Sequence, residues 1–133
     1  MSDRYHDQRP PGLAPGPGYS HVVSASGRLV AVAGQVALDE HGMVVGAGDL
    51  ALQAERVFGN VALALAAAGA SFADVVKLNY YLTDIGGLPA VRIARDRYVD
   101  TANPPASTAV QVTALARPEL LIEVEALAVV GEG

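Results

Sequence analysis

The run LVAVAGQV at residues 29–36 constrains the fold most, because it is apolar on both of the sides that a strand presents. Alternate positions of a strand point to opposite faces of its sheet, so such a strand needs cover above and below. Gly34 interrupts the run. A glycine inside a strand marks a bulge, or a close approach by a ligand or another backbone. The last apolar segment, residues 120–130, alternates instead. It sets Ile122, Val124, Ala126 and Ala128 on one face, and Leu121, Glu123, Glu125 and Leu127 on the other.

Cover for one face comes from two helical segments. Residues 49–68 carry Leu50, Ala54, Val57, Phe58, Val61, Leu65 and Ala68 at spacings of three and four, with Gln53, Arg56 and Asn60 as a polar face. Asp49 is an N-cap and Gly69 a C-terminal stop. Pro89 suits the first turn of a second helix running to about Asp100, in which Arg92 and Asp96 are spaced as an ion pair. Residues 21–24, 74–82 and 108–115 read as further strands, and 43–45 as a short return after a turn at 39–42. The order is strands, helix, strand, helix, strands. It predicts an α+β domain, residues 19–133, with one sheet and two helices packed on one face.

The second face has no cover within the chain. Hydrophobic residues make up 51% of the 133, against 17% charged, which is apolar for a domain with so much surface. Other subunits are expected to cover the remainder. Residues 1–18 hold four of the eight prolines and read as a mobile or extended arm.

Charge and composition exclude several classes. The net charge is -5, with nine scattered Lys and Arg residues, so no basic stripe exists for a nucleic-acid backbone. There is no cysteine, hence no disulfide, thiol nucleophile or cysteine-ligated metal. His6, His21 and His41 lack metal-ligand spacing, and no metal is expected. No apolar run reads as a membrane span, and a cytoplasmic protein is the default expectation. His6 and His41 read as solvated. Ser20, Ser24, Ser26 and Ser71 read as turn and cap residues.

Glu123 and Glu125 share a face that is otherwise apolar. A buried carboxylate needs a partner, or it becomes a candidate general acid or base. Taken alone, both fit a salt bridge or backbone hydrogen bonds at a subunit interface, Glu125 more than Glu123.

Several segments together resemble the RidA/YjgF/YER057c family. Gly16-Pro17-Gly18-Tyr19-Ser20 is similar to its GPYSQ start, and Ala33-Gly34-Gln35-Val36 to its SGQIP strand. Ala67-Ala68-Gly69-Ala70 with Asp74-Val75-Val76-Lys77 is similar to AAGAS…DVVK, and Tyr81-Leu82-Thr83-Asp84 to YLTD. Pro105-Ala106 and the segment from Ile122 to Ala128 are similar to the PARS and VEIEAIA ends.

The resemblance implies a chorismate-mutase-like mixed sheet and a homotrimer with small-molecule clefts between subunits. It implies hydrolysis of enamines and imines such as 2-aminoacrylate to a 2-keto acid and ammonia, with no cofactor. It assigns water handling to Glu123, and cleft positions to Tyr19, Gly34, Gln35, Ser107, Thr108 and Ala109.

The chain departs from the family at four places. Ser107 stands where an arginine grips the substrate carboxylate, and a serine supplies neither charge nor bidentate fork. Ala33 replaces a common serine, His21 a glutamine, and Arg95 stands near a usual asparagine. The loss at Ser107 argues against 2-aminoacrylate and keeps a non-catalytic metabolite-binding trimer as the alternative to a hydrolase. An endoribonuclease reading is disfavoured by the acidic charge. His21 is a candidate to face the cleft. Arg95 or Arg92 is a candidate to restore the guanidinium, against the preferred reading of a solvated helix face.

Overall fold

In a computed structural model, which describes residues 3–131, the elements are β1 (Tyr5–Asp7), β2 (Val22–Ser24), β3 (Arg28–Val36), α1 (Leu50–Ala67), β4 (Val75–Leu82), α2 (Leu88–Arg95), β5 (Ala106–Gln111) and β6 (Ile122–Val130). Four strands form a mixed sheet in the order β3-β6-β4-β5. The β3–β6 and β6–β4 pairs are antiparallel, and β4–β5 is parallel. A parallel pair needs a crossover between its strands, and α2 lies on that crossover. Both helices pack on one face, as the periodicity predicts.

The alternation in β6 decides which face is which. Ile122, Val124, Ala126 and Ala128 are buried with Val30 and Val32 of β3 and Leu78, Tyr80 and Leu82 of β4. Val57, Phe58, Val61 and Leu65 of α1 complete this core. Burying each such side chain contributes roughly 1.5–3 kcal/mol. Phe58 also packs on the rings of Phe72, Tyr80 and Tyr98 at 5.9–6.3 Å.

The ends of α1 are as expected. Asp49 accepts from the Leu52 amide at 3.1 Å. Gly69, at φ 72°, lets the Ala70 amide donate back to the Leu65 carbonyl at 2.9 Å, which closes a Schellman motif. By length and apolar content α1 is able to cross a bilayer, contrary to the reading that no such run exists. Its buried residues are packed on the sheet instead.

The polar face of α1 is only partly a solvent face. Gln53 is fully buried. Its Nε2 donates to the carbonyls of Gly46 (3.1 Å) and Glu119 (2.8 Å), and its Oε1 accepts from the Leu121 amide at 2.8 Å. Asn60 and Arg56 donate to carbonyls of Val36 and Leu38. These side chains fasten two loops to the helix, replacing hydrogen bonds that the loop backbones would otherwise make to water.

Other boundaries shift. The second helix ends at Arg95, not near Asp100, because the Tyr98 and Val99 amides turn back onto the Arg95 carbonyl. Asp96 pairs with Arg95 instead of Arg92. The 43–45 return shrinks to a bridge between Leu38 and Val44. The 108–115 strand becomes Ala106–Gln111. The N-terminal arm is extended but tied down: β1 pairs with β2, and Arg4 donates to the carbonyls of Asp74 and Val129. His6 therefore lies in a strand and is half-buried, not solvated.

On the face away from the helices, the chain leaves apolar surface open. Leu29 is 66% exposed, Leu127 41% and Val110 40%, and Ala31 and Ala33 are exposed beside them. The double-sided apolarity of β3 is thus half used within one chain.

Candidate functional site

Two clusters of the expected site residues form, and they lie apart. The first surrounds Glu123. It projects from β6 on the open face, because its neighbours Ile122 and Val124 point into the core. Across from it the β3–β6 register shifts between Val32 and Gln35, the bulge that Gly34 predicts. The Gly34 Cα approaches the Glu123 carboxylate so closely that a Cβ there would lie 2.7 Å from the Glu123 Cδ. Glycine is needed for this approach, and the missing side chain leaves the carboxylate its place.

The two glutamates differ in what holds them. Glu125 accepts from Asn79 at 3.1 Å and from the Tyr81 hydroxyl. That hydroxyl is harder to ionise than usual, chiefly because it donates to Glu125. Among the described residues no donor hydrogen-bonds Glu123. Glu125 is therefore structural, as the sequence reading favours, and Glu123 is the carboxylate left available.

Gln35 bonds back to the Ala33 carbonyl at 3.1 Å. With Gly34, Arg56 and Asn60 it lines a groove of about 540 Å³ at the β3 edge.

The second cluster lies at the β5 edge. Tyr19 is set there by Ser20, which is buried and not a surface turn residue. The Ser20 Oγ donates to the Pro104 carbonyl at 2.7 Å, its amide donates to the Pro105 carbonyl at 3.2 Å, and it bridges Ala106. Tyr19, Ser107, Thr108 and Ala109 then line one cavity of about 340 Å³, together with Arg95, Arg92, Leu88 and Tyr80. Thr108 also accepts from the Lys77 ammonium at 3.0 Å.

Arg95 overturns the solvated-face reading. It is 6% exposed and runs under Gly18, with Nη2 3.2 Å from where a Cβ on that glycine would be. Asp96 Oδ1 accepts from its Nε at 3.0 Å and its Nη2 at 2.8 Å. In the sequence Tyr80 reads only as one position of the 74–82 strand. Its hydroxyl is buried beside Arg95, with no partner at full hydrogen-bond geometry among the described residues, and burial pushes its pKa up to about 12 against the opposing pull of Arg95 and Arg92. A three-residue spacing puts Arg92 and Arg95 on one helix face, and that spacing was the available signal for both.

His21 does not line this cavity. Its ring packs edge-on against Tyr19 at 5.3 Å, and its Nε2 is bonded to the Ala14 carbonyl at 2.6 Å. It supports Tyr19 from behind. His41 is exposed. Among the described residues no group of three His, Asp or Glu side chains gathers to hold a metal ion.

Within one chain the clusters cannot share a ligand. The register pairs Ser107 with Leu78 and Ala109 with Tyr80, so the cavity opens on the helix side, whereas Glu123 is on the other face of the sheet. β4 also separates β5 from β6, two strand spacings or about 10 Å. Arg95 and Glu123 of the same chain do not face each other.

Comparison with known proteins gives a consistent set. The family model described as Endoribonuclease L-PSP matches residues 10–130. Protein DfrA of Myxococcus xanthus is 39% identical over 94% of this chain and 92% of its own length. The 3-aminoacrylate deaminase RutC of Acinetobacter baylyi is 36% identical over 90% of each chain. The crystal structure of YyfB from Yersinia pestis, described as a protein of unknown function of the conserved Rid family, superposes with a TM-score of 0.82. It is 37% identical and covers 96% of this chain and 99% of that one.

Proposed function

The chain belongs to the Endoribonuclease L-PSP family, which contains the RutC and RidA proteins, and from that premise we propose that it is a metal-independent hydrolase of small imines or enamines. The observation that carries the reading is the Glu123 carboxylate. It is held over Gly34 with no hydrogen bond from any described residue, on an open face and beside apolar surface. A carboxylate so placed can accept a proton from water as that water attacks an imine carbon. Glu123 returns that proton to the nitrogen, and the carbinolamine formed expels ammonia, leaving a carbonyl product and the carboxylate restored. The deaminase name carried by the Acinetobacter relative supports this chemistry. The net charge of -5 speaks against a nuclease, despite the family's description.

The second half of the site is proposed to come from a neighbouring copy. Glu123 and the Tyr19–Arg95–Ser107 cavity face away from each other within one chain, and the open face carries Leu29, Val110 and Leu127. A homotrimer in which the cavity of one copy meets Glu123 of the next would cover that surface and close the cleft. The cytoplasm is the proposed compartment.

The test is release of ammonia from imines generated in place by an amino-acid oxidase. Acceleration that falls at least 100-fold in Glu123→Ala is expected, the usual scale of general acid–base catalysis. No acceleration on any imine, or an unchanged rate in the variant, overturns the proposal. Serine at position 107 favours one second reading, a trimer that binds a metabolite without turning it over. That reading predicts tight binding with no product.

A further inference from the structure

The Tyr19 ring, in the wall of the β5-edge cavity, is braced from several sides. Gly16 backs onto it, where a Cβ would lie 2.8 Å from Tyr19 Cε2. The His21 ring meets it edge-on at 5.3 Å, and Ser20 anchors the next residue to the Pro104 carbonyl. On the preceding side Gly18 rests on Arg95. The place a Gly18 Cβ would take is 3.2 Å from Nη2, 3.8 Å from Nη1 and 3.9 Å from Cζ, so the guanidinium lies against the bare side of that glycine. Asp96 Oδ1 accepts from both Nε and Nη2, which stops the guanidinium from turning. The Tyr80 hydroxyl is buried beside it. A guanidinium that grips a ligand aims two free donors at it. Arg95 instead has one edge bonded to its own neighbour in the chain and is 6% exposed, which suits a rigid support.

We infer that Arg95 is a positioning residue: locked by Asp96, it seats Gly18 and so fixes the Tyr19 ring in the cavity wall, without binding the ligand itself. The Asp96 carboxylate offsets the charge, so the guanidinium is buried as a pair and not alone. An arginine is required, because only its planar fork bonds Asp96 through two nitrogens and still presents a surface to Gly18; a lysine ammonium is a point charge. That Tyr19 meets a substrate rests on the hydrolase reading; the seat itself does not.

Amide hydrogen exchange of the intact protein tests the seat without reference to activity. The Ser20 and His21 amides donate to the Pro105 and Asp7 carbonyls, so they report whether the segment after Tyr19 is held. In Arg95→Met both are expected to exchange about tenfold faster, while the β6 amides keep the parent's rates. Arg95→Lys keeps the charge, loses the fork and should behave as Arg95→Met does. Asp96→Asn alters a side chain that is 45% exposed; it should shift the same two amides in the same direction by less, and it decides the matter if Arg95→Met does not fold. Turnover then separates a support from a ligand-binding group. Ammonia release should fall about tenfold through kcat in Arg95→Met, since slight misplacement of a cleft group costs up to about 100-fold. In a Tyr19→Ala background the same change should cost nothing further. Unchanged Ser20 and His21 exchange, or losses that multiply in the double variant, overturn the assignment. Glu123→Gln should abolish turnover and leave the exchange rates alone, so turnover that survives it defeats the hydrolase reading and not the seat.

Discussion

The Cα of Gly34 faces the carboxylate of Glu123 at a distance that leaves no space for a Cβ. The β3 bulge brings the backbone in, and the absent side chain keeps the carboxylate in position. Gly34→Ala is therefore expected to displace Glu123. Because the close atoms all belong to the flexible Glu123 side chain, that side chain can swing aside, and the urea midpoint should stay close to the parent's. The ammonia-release rate should fall as far as it does in Glu123→Gln.

The neighbouring glutamate should behave differently. Glu125 is held by Asn79 and Tyr81, and Glu125→Gln keeps an acceptor oxygen for both. Turnover within a few-fold of the parent is expected. A loss as deep as that of Glu123→Gln would assign the chemistry to the wrong carboxylate.

Gln53 fastens the loops before α1 and β6 through three backbone groups. Gln53→Leu preserves bulk but strands those groups in the interior. With about 1–3 kcal/mol for each unmet group and partial relaxation, a loss of roughly 2–4 kcal/mol in unfolding free energy is expected from urea titration.

Alkaline stability should report on Tyr80. Its pKa is raised by burial to about 12 in the fold, against about 10 in an unfolded chain. The neutral form is favoured in the fold, so its contribution is complete below pH 10. It is lost as pH climbs from 10 to 12, because the unfolded chain ionises first. That loss amounts to about 3 kcal/mol. Comparing the parent with Tyr80→Phe across this window isolates the effect, and the variant should lose less stability.

The open sheet face should hold the copies together. Leu127 is 41% exposed on it, and Leu127→Glu places a charge amid that apolar surface. The expected result is a fall to single-chain mass in light scattering, with turnover lost in step.

Much of this was legible in the residues. The alternation of β6 announced its core face and its carboxylate face correctly, and Asp49 and Gly69 bracketed α1. Gly34 announced both the bulge and the close approach. The failures share a cause. Gln53 read as solvent-facing because its helix face is polar, yet its partners lie 66 and 68 residues away in sequence. Arg95 read as solvated by the same rule and is covered by the Gly18–Tyr19 segment, from the other end of the chain.

Local periodicity determined which residues form strands and helices and which face each element buries, because those preferences act within a few residues of backbone. Only the tertiary structure decided which polar side chains go inside. That outcome depends on donors and acceptors that distant segments bring within 3 Å. It also decided that Glu123 and the Arg95 cavity point to opposite sides of the sheet, since strand order and register place them there and no sequence spacing records either.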